Sequence, residues 1–482
     1  MLDALEYMPA HRQLELFRRK RLSPVEVLNA QIGRNEEIGH RISAVTAKHF
    51  EEALKAAAES EARYQRGDVR PLEGISIAVK EEYGRRGWAM TAGSVLFKDE
   101  VSHKNHPVVD KLLAAGAILH VQTTVPELFL VGVTWSDLWG VTRNPWNPDY
   151  TPGGSSGGSA AALAAGMATL AIGSDMGGSI RIPSALCGVY GSKPAYGRIA
   201  SPGPSGLIVH TTPGPLARDA IDMILLQNVM SGFAPGCPAV LPQQILASRR
   251  RAPRGYKLAL SMDQGWASLD ADVRANTLAA AKLLEGHGAT VDEVDLPLET
   301  SDSHLRETIE KALFSTAIGA DLIDLAARTD EMTTYGRRFV NLACAMGPLD
   351  AREAAKETLR LYGIIDKRVF EAGYDALITP TVATTRISAD YDPTADTPVI
   401  DGKSVDPYAG WFLTSLFSLL NWMPVVSVPT GVAANNVPTG LQIACRPYDD
   451  ATAAAIATFY AEAAPAMPFG RICGDRSTCR MK

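Results

Sequence analysis

Residues 151–198 read TPGGSSGGSAAALAAGMATLAIGSDMGGSIRIPSALCGVYGSKPAYGR, the densest run of small residues in the chain. Serines recur there beside glycine pairs, notably in Gly154-Ser155-Ser156-Gly157 and in Gly177-Gly178-Ser179-Ile180. A phosphate-cradling loop would need GxxxxGK[ST], with its lysine on the phosphates. Alanines follow this loop instead, and the GxGxxG dinucleotide pattern is also missing from it, which argues against nucleotide binding. Tight helix-on-sheet packing accounts for the alanines of 160–165. It does not account for the paired serines. A serine among glycines can be presented on an unusual backbone with neighbouring N–H groups turned towards a ligand oxygen. That geometry suits a nucleophile beside an oxyanion hole.

Outward from this segment the chain alternates helix and strand. Upstream, 74–80 (GISIAVK) has a period of two, which predicts a strand with Ser76, Ala78 and Lys80 on one face. Residues 108–115 read as a helix closed by Gly116, and 117–122 as the next strand, the order expected of an α/β layer protein. The first 66 residues look helical: Ser23-Pro24-Val25-Glu26 supplies a cap, a first-turn proline and an acid, and 47–64 has helical composition throughout. Downstream, strands are expected at 256–260, 290–294 and 376–379, and helices at 271–286 and 353–372. The proline-rich 237–254 reads as a loosely held surface loop. Residues 407–445 contain no charged side chain, but Asn421, Pro424, Pro429 and Pro438 divide them. A buried helix (411–420) and strand (425–428) are expected there rather than a membrane span or a membrane-surface patch of Trp411, Phe412, Leu416 and Phe417.

Composition narrows the function classes. Of 482 residues, 46% are hydrophobic and 21% charged, enough for a large core and unlike a disordered chain. The net charge of −6, with no basic block, argues against nucleic-acid binding. Six cysteines form no CxxC pair, which fits a reducing cytoplasm, although the spacing of Cys473 and Cys479 permits a local bridge. The N-terminus is charged and amphipathic, unlike a signal peptide. His103, His106 and His210 lack metal-ligand spacing, so no metal is expected.

Three segments together, 71–80 (PLEGISIAVK), 151–160 (TPGGSSGGSA) and 171–198, resemble the amidase signature family. LSPVEVLNA (22–30), AGAILHVQTTVPEL (115–128), NPWN (144–147), DALITPT (375–381), VVSVPTG (425–431) and PTGLQIA (438–444) extend the likeness along nearly the whole chain. The resemblance implies one large α/β domain over 1–482, with a central mixed twisted sheet covered on both faces by helices. Within it, N-terminal helices (1–66) precede a signature core (71–220), a variable substrate-side region (235–400) and a C-terminal return (405–465). Length alone would allow about three domains, but the signature residues must converge, so 71–198 cannot be divided.

The family uses a Ser–Ser–Lys triad without cofactor. Lys80 matches its lysine, Ser179 its nucleophile, and Ser155 the bridging serine, which in the family is associated with a cis peptide. The N–H groups of Met176, Gly177, Gly178 and Ser179 match its oxyanion hole. The chemistry suits these residue types: a hydroxyl needs a base, and lysine can serve once burial makes it neutral. Asp175 and Arg181 read as a pair that braces the loop, and Cys187 as core. Phe129, Leu130 and Val131, with Arg198, are the expected substrate contacts; Trp135 and Trp139 follow close behind, and the loop 198–208 and the 411–417 segment are expected to frame the mouth. A small apolar or aryl-substituted amide, carbamate (urethane) or ester is the implied substrate of a cytoplasmic monomer or homodimer. The alternative is the glutamine-dependent, tRNA-type amidotransferase subunit, which needs a partner chain. That subunit typically carries a glutamine after SIR and an SSLDQ-type segment; here stand Ile182 and 208–215 (IVHTTPGP), which favours a stand-alone hydrolase.

Overall fold

Short runs of branched and aliphatic residues, separated by helices, build one sheet. In this computed structural model residues 4–247 and 255–469 are described. The strands are β1 (Val45–Lys48), β2 (Ser76–Lys80), β3 (Ile118–Thr123), β4 (Leu170–Asp175), β5 (Tyr190–Lys193) and β6 (Thr212–Ala217). They continue with β7 (Lys257–Leu260), β8 (Thr290–Glu293), β9 (Ala376–Pro380), β10 (Val425–Val432) and β11 (Pro438–Cys445). Their order across the eleven-stranded sheet is β1-β3-β2-β4-β6-β5-β10-β11-β9-β7-β8. β3, β2 and β4 run parallel, as do β9, β7 and β8, and the central pairings are antiparallel. The sheet is therefore mixed, within one large domain.

Every residue of β2, β3 and β4 is buried, which requires cover on both faces. Alternate side chains of β2 go to different apolar clusters. Ile77 and Val79 join the larger one, while Ala78 packs with the alanine-rich helix Gly157–Ala164. That helix lies so close to the sheet that a Cβ on Gly158 would fall 2.5 Å from the Thr124 nitrogen and 2.7 Å from its carbonyl oxygen.

The structure differs from the sequence reading in places. Residues 45–48 leave the expected helical region to pair antiparallel with β3 before the helix Phe50–Arg66 begins. The helix expected at 353–372 starts earlier, because Pro348 occupies its first turn, and it ends in a π-turn, Asp366–Phe370. β10 runs past Pro429, where a register shift between Pro429 and Gly431 accommodates the proline. The helix in the uncharged stretch is shorter than 411–420 and spans Ser415–Leu419. Its first residues are extended instead: the Leu413 N–H donates to the Thr381 carbonyl (2.9 Å) and the Ala383 N–H to that of Trp411 (2.9 Å). Trp411, Phe412, Leu416 and Phe417 are all buried, which removes the membrane-surface reading. Among the described residues no helix is long and apolar enough to cross a membrane. Cys473 and Cys479, and residues 248–254 of the proline-rich loop, lie outside the described residues.

Gly158→Ala should lower stability by about 1–3 kcal/mol, read as a lower midpoint in urea unfolding. An unchanged midpoint would mean that the helix does not depend on this close approach.

Candidate active site

β2 and β4 run side by side in parallel, with Val79 opposite Ile172. Their carboxyl ends share one edge of the sheet, the edge at which open α/β sheets bind ligands. Lys80 is the last residue of β2, and Ser174 and Asp175 close β4. The Lys80 side chain is fully buried, with Nζ 2.8 Å from Ser155 Oγ, 2.7 Å from Ser174 Oγ and 2.9 Å from Glu82 Oε2. A turn in which the Tyr83 N–H donates to the Lys80 carbonyl (2.9 Å) returns Glu82 over the amine. The Ser174 hydroxyl in turn donates to the Glu82 carboxylate. The Phe129 ring centre lies 5.1 Å from Nζ. Burial pushes the lysine pKa down; Glu82 and Asp175 pull it up, offsetting burial only in part, and the net shift is downwards.

Ser155 follows a cis Gly154–Ser155 peptide bond. Any side chain on Gly154 would collide with the Val133 carbonyl, 2.2 Å from the Cβ position. The Ser156 N–H donates to the Ser179 carbonyl (3.0 Å), which ties the two glycine–serine loops together. Gly178, just before Ser179, has φ +126°, and its Cβ position lies 2.1 Å from Thr414 Oγ1, so glycine is required there twice over.

The loop is held from beneath by a buried ion pair. Arg181 meets Asp175 through Nε (2.9 Å) and a terminal nitrogen (2.8 Å), and it also donates to the Thr414 carbonyl, Gln442 and Ser418. Burial pushes the Asp175 carboxyl up, but the guanidinium more than offsets this and holds it below the usual carboxylate range. The Gly178 N–H donates to the same carboxylate (2.9 Å). This corrects the expected oxyanion set: Gly178 is committed to Asp175, which leaves the N–H groups of Met176, Gly177 and Ser179 as candidates.

Ser179 stands where two cavities meet. The first, about 660 Å³, is lined by Gly154, Met176, Gly177 and Ile182, with Val131, Phe314, Phe339 and Phe412 among its apolar walls. Buried Ser415 also lines it, and its hydroxyl has no hydrogen-bond partner. Arg306, Glu310 and Tyr408 form its polar end. The second, about 1080 Å³, is lined by Ser155, Ser174, Glu82, Ile318, Leu322 and Leu325. Phe129 and Leu130 line both. Arg198 lines neither: its Nε binds buried Asp450 at 3.0 Å, so the expectation of a substrate contact there is corrected to a structural pair. The other described side chains of the loop 198–208 are likewise absent from both walls. Trp135, Trp139 and Trp146 spend their indole N–H groups on the Tyr391 carbonyl, Glu81 and the Cys187 carbonyl. His210 meets the Ser418 carbonyl (3.2 Å), and His106 caps the helix Pro107–Ala114.

Sequence reasoning overlooked Ser174, Glu82, Thr414 and Ser415. The first two carried a signal, since Ser174 falls two residues after Ile172 on a strand face and Glu82 two residues after Lys80. Among the described residues one group has metal-ligand spacing, His11, Asp219 and Asp222. Both Asp222 oxygens there accept backbone N–H groups, from Ala10 and His11.

The family model described as Amidase matches residues 26–453. A glutamyl-tRNA(Gln) amidotransferase subunit from Syntrophus aciditrophicus (strain SB) is 30% identical over 486 residues, covering 95% of this chain and 97% of that one. Among solved structures, a bacterial aryl acylamidase of the amidase signature enzymes has TM-score 0.87 and 26% identity, covering 96% of this chain and 97% of its own. A 6-aminohexanoate cyclic dimer hydrolase complexed with substrate has TM-score 0.83 and 26% identity, covering 97% and 98%.

Arg181→Met should strand the Asp175 carboxylate without its partner and cost about 3–5 kcal/mol. Urea unfolding measures this; a loss below about 1 kcal/mol would mean that the pair behaves like a surface salt bridge.

Proposed function

Because the chain belongs to the amidase family, we propose that it hydrolyses the C–N bond of apolar or aryl-substituted amides through an acyl-enzyme on Ser179. One observation carries the reading: a fully buried lysine amine lies 2.8 Å from Ser155 Oγ, and Ser155 and Ser179 line one cavity. In its neutral form Lys80 takes a proton from Ser155, which takes one from Ser179 as that oxygen attacks the carbonyl. The N–H groups of Met176, Gly177 and Ser179 receive the developing oxyanion. The proton then returns through Ser155 to the leaving amine, and water later releases the acyl group.

The amine must leave beside its proton donor. Ser155 lines the second cavity and not the first, which supports the second as the amine side and the aromatic-walled first as the acyl side. Carbamates and esters present the same carbonyl and are open to the same attack. The amidotransferase reading draws on the 30% identity to the Syntrophus protein. Against it, Ile182 and its aromatic neighbours make the wall beside Ser179 apolar, and the Arg306 and Glu310 charges at the polar end are paired with each other (2.7 Å), a poor match for the carboxamide of glutamine at the nucleophile.

A panel of anilides, primary amides, carbamates and esters sharing one aryl group tests the proposal on the purified chain. Turnover of anilides is expected without a partner, and Ser179→Ala should lose at least about 10³-fold of it. Ser179→Ala with near-normal turnover would sink the nucleophile assignment. Glutamine turnover that depends on an added partner would favour the amidotransferase reading.

A further inference from the structure

Glu82 takes no part in the proton relay just proposed, yet it lies against the relay's base. An ammonium carries three protons to donate, and Lys80 Nζ has three oxygen acceptors within 2.9 Å: Ser155 Oγ, Ser174 Oγ and Glu82 Oε2. The Ser174 hydroxyl, having accepted from Nζ, donates onward to the Glu82 carboxylate and closes a ring. This is the environment of a charged lysine. A neutral amine would have one proton too few for it and would need its lone pair turned towards Ser155.

The other groups near this pair do not replace Glu82. Asp175, the second anion acting on Lys80, is committed to Arg181. His106 and Tyr83 feel the Glu82 charge, but burial holds His106 neutral down to about pH 4 and keeps the Tyr83 hydroxyl protonated, donating to the Gly173 carbonyl. The Phe129 ring centre lies 5.1 Å from Nζ, and Asp321, a second carboxylate, shares the wall of the cavity that Glu82 lines. The Glu82 side chain is 28% exposed and lines the second cavity with Ser155, Ser174 and Ser179. It therefore connects the buried amine to the space where water and the leaving group move.

We propose that Glu82 is a positioning residue that holds Lys80 as the ammonium at rest and so sets the pH above which the amine can accept the Ser155 proton. The inference rests on Lys80 acting as the base. Activation transfers one proton from Nζ to Oε2 and on to cavity water, leaving Lys80 neutral and Glu82 ionised. The proton from Ser179 then passes to Ser155, and that of Ser155 to Lys80.

The test is the labelling rate of Ser179 by an alkyl fluorophosphonate as a function of pH. The Oγ–P bond forms, the P–F bond breaks and fluoride leaves, while the serine proton passes through Ser155 to Lys80. Glu82→Gln keeps the size and hydrogen bonding of the side chain but removes its charge. Without the anion the ammonium loses its proton more readily, so the acid limb should move to lower pH by about 1–3 units with the alkaline plateau kept. Glu82→Asp, with a longer gap to Nζ, should move the limb the same way by less, and it decides the matter alone if the glutamine variant does not fold. An unmoved limb with an evenly lowered rate, or a limb that rises, overturns the proposal. Lys80→Ala is labelled alongside. Wild-type labelling of that variant near neutral pH would remove the base reading itself, whereas its loss, combined with an unmoved Glu82→Gln limb, would remove this proposal alone.

Discussion

Burying a lysine amine at the end of a strand is the constraint on which this structure turns. An ammonium ion taken out of water carries a desolvation penalty of several kcal/mol, and a chain that keeps one must surround it with acceptors. Here the parallel pairing of β2 with β4 supplies Ser174, the glycine–serine loop supplies Ser155, and a turn after β2 supplies Glu82. The apolar residues of β2 and the alanine helix exclude water from the other sides. Packing and polar contacts thus act together: burial depresses the lysine and the three oxygens keep the penalty tolerable.

The loop bearing Ser179 depends on distant parts of the chain. Arg181 reaches the Thr414 carbonyl, Ser418 and Gln442, all in the stretch without charged side chains. That stretch contributes a carbonyl oxygen, a hydroxyl and a side-chain amide oxygen to a buried guanidinium, and Thr414 also donates to the Gly177 carbonyl. A charged residue there would add a further desolvated ion beside the Arg181–Asp175 pair. The absence of charge follows from what the segment surrounds, and the signature core cannot assume this form without residues from the C-terminal return.

Much of this was legible in the sequence. The period-two run ending at Lys80 and the alternation of helix and strand mark an α/β layer protein, and the glycine–serine segments suit a nucleophile loop; the mixed sheet and the roles of Lys80, Ser155 and Ser179 came from the resemblance to the amidase signature family. The structure gathers Lys80, Ser155 and Ser174 around one amine, with Ser155 and Ser179 on one cavity. What stayed hidden depends on which polar partner each group finds, near or far in sequence. Arg198 looked free until Asp450 was seen to claim it. The N–H of Gly178 looked available until Asp175 was found to accept from it. The 411–420 segment has the composition of a helix, but pairing with residues 381–383 extends its first part. Local pattern carries no information on which of several polar partners wins, and that competition decided each case.

Under the proposed function, the two cavities that meet at Ser179 would also govern the order of events. With the acyl group in one chamber and the amine in the other, the first product can depart while the second stays covalently held. Its departure empties the chamber that Ser155 and Glu82 line, and the incoming water enters where a proton acceptor already waits. On the proposed assignment, an added amine or alcohol small enough for that chamber would compete with water for the acyl group.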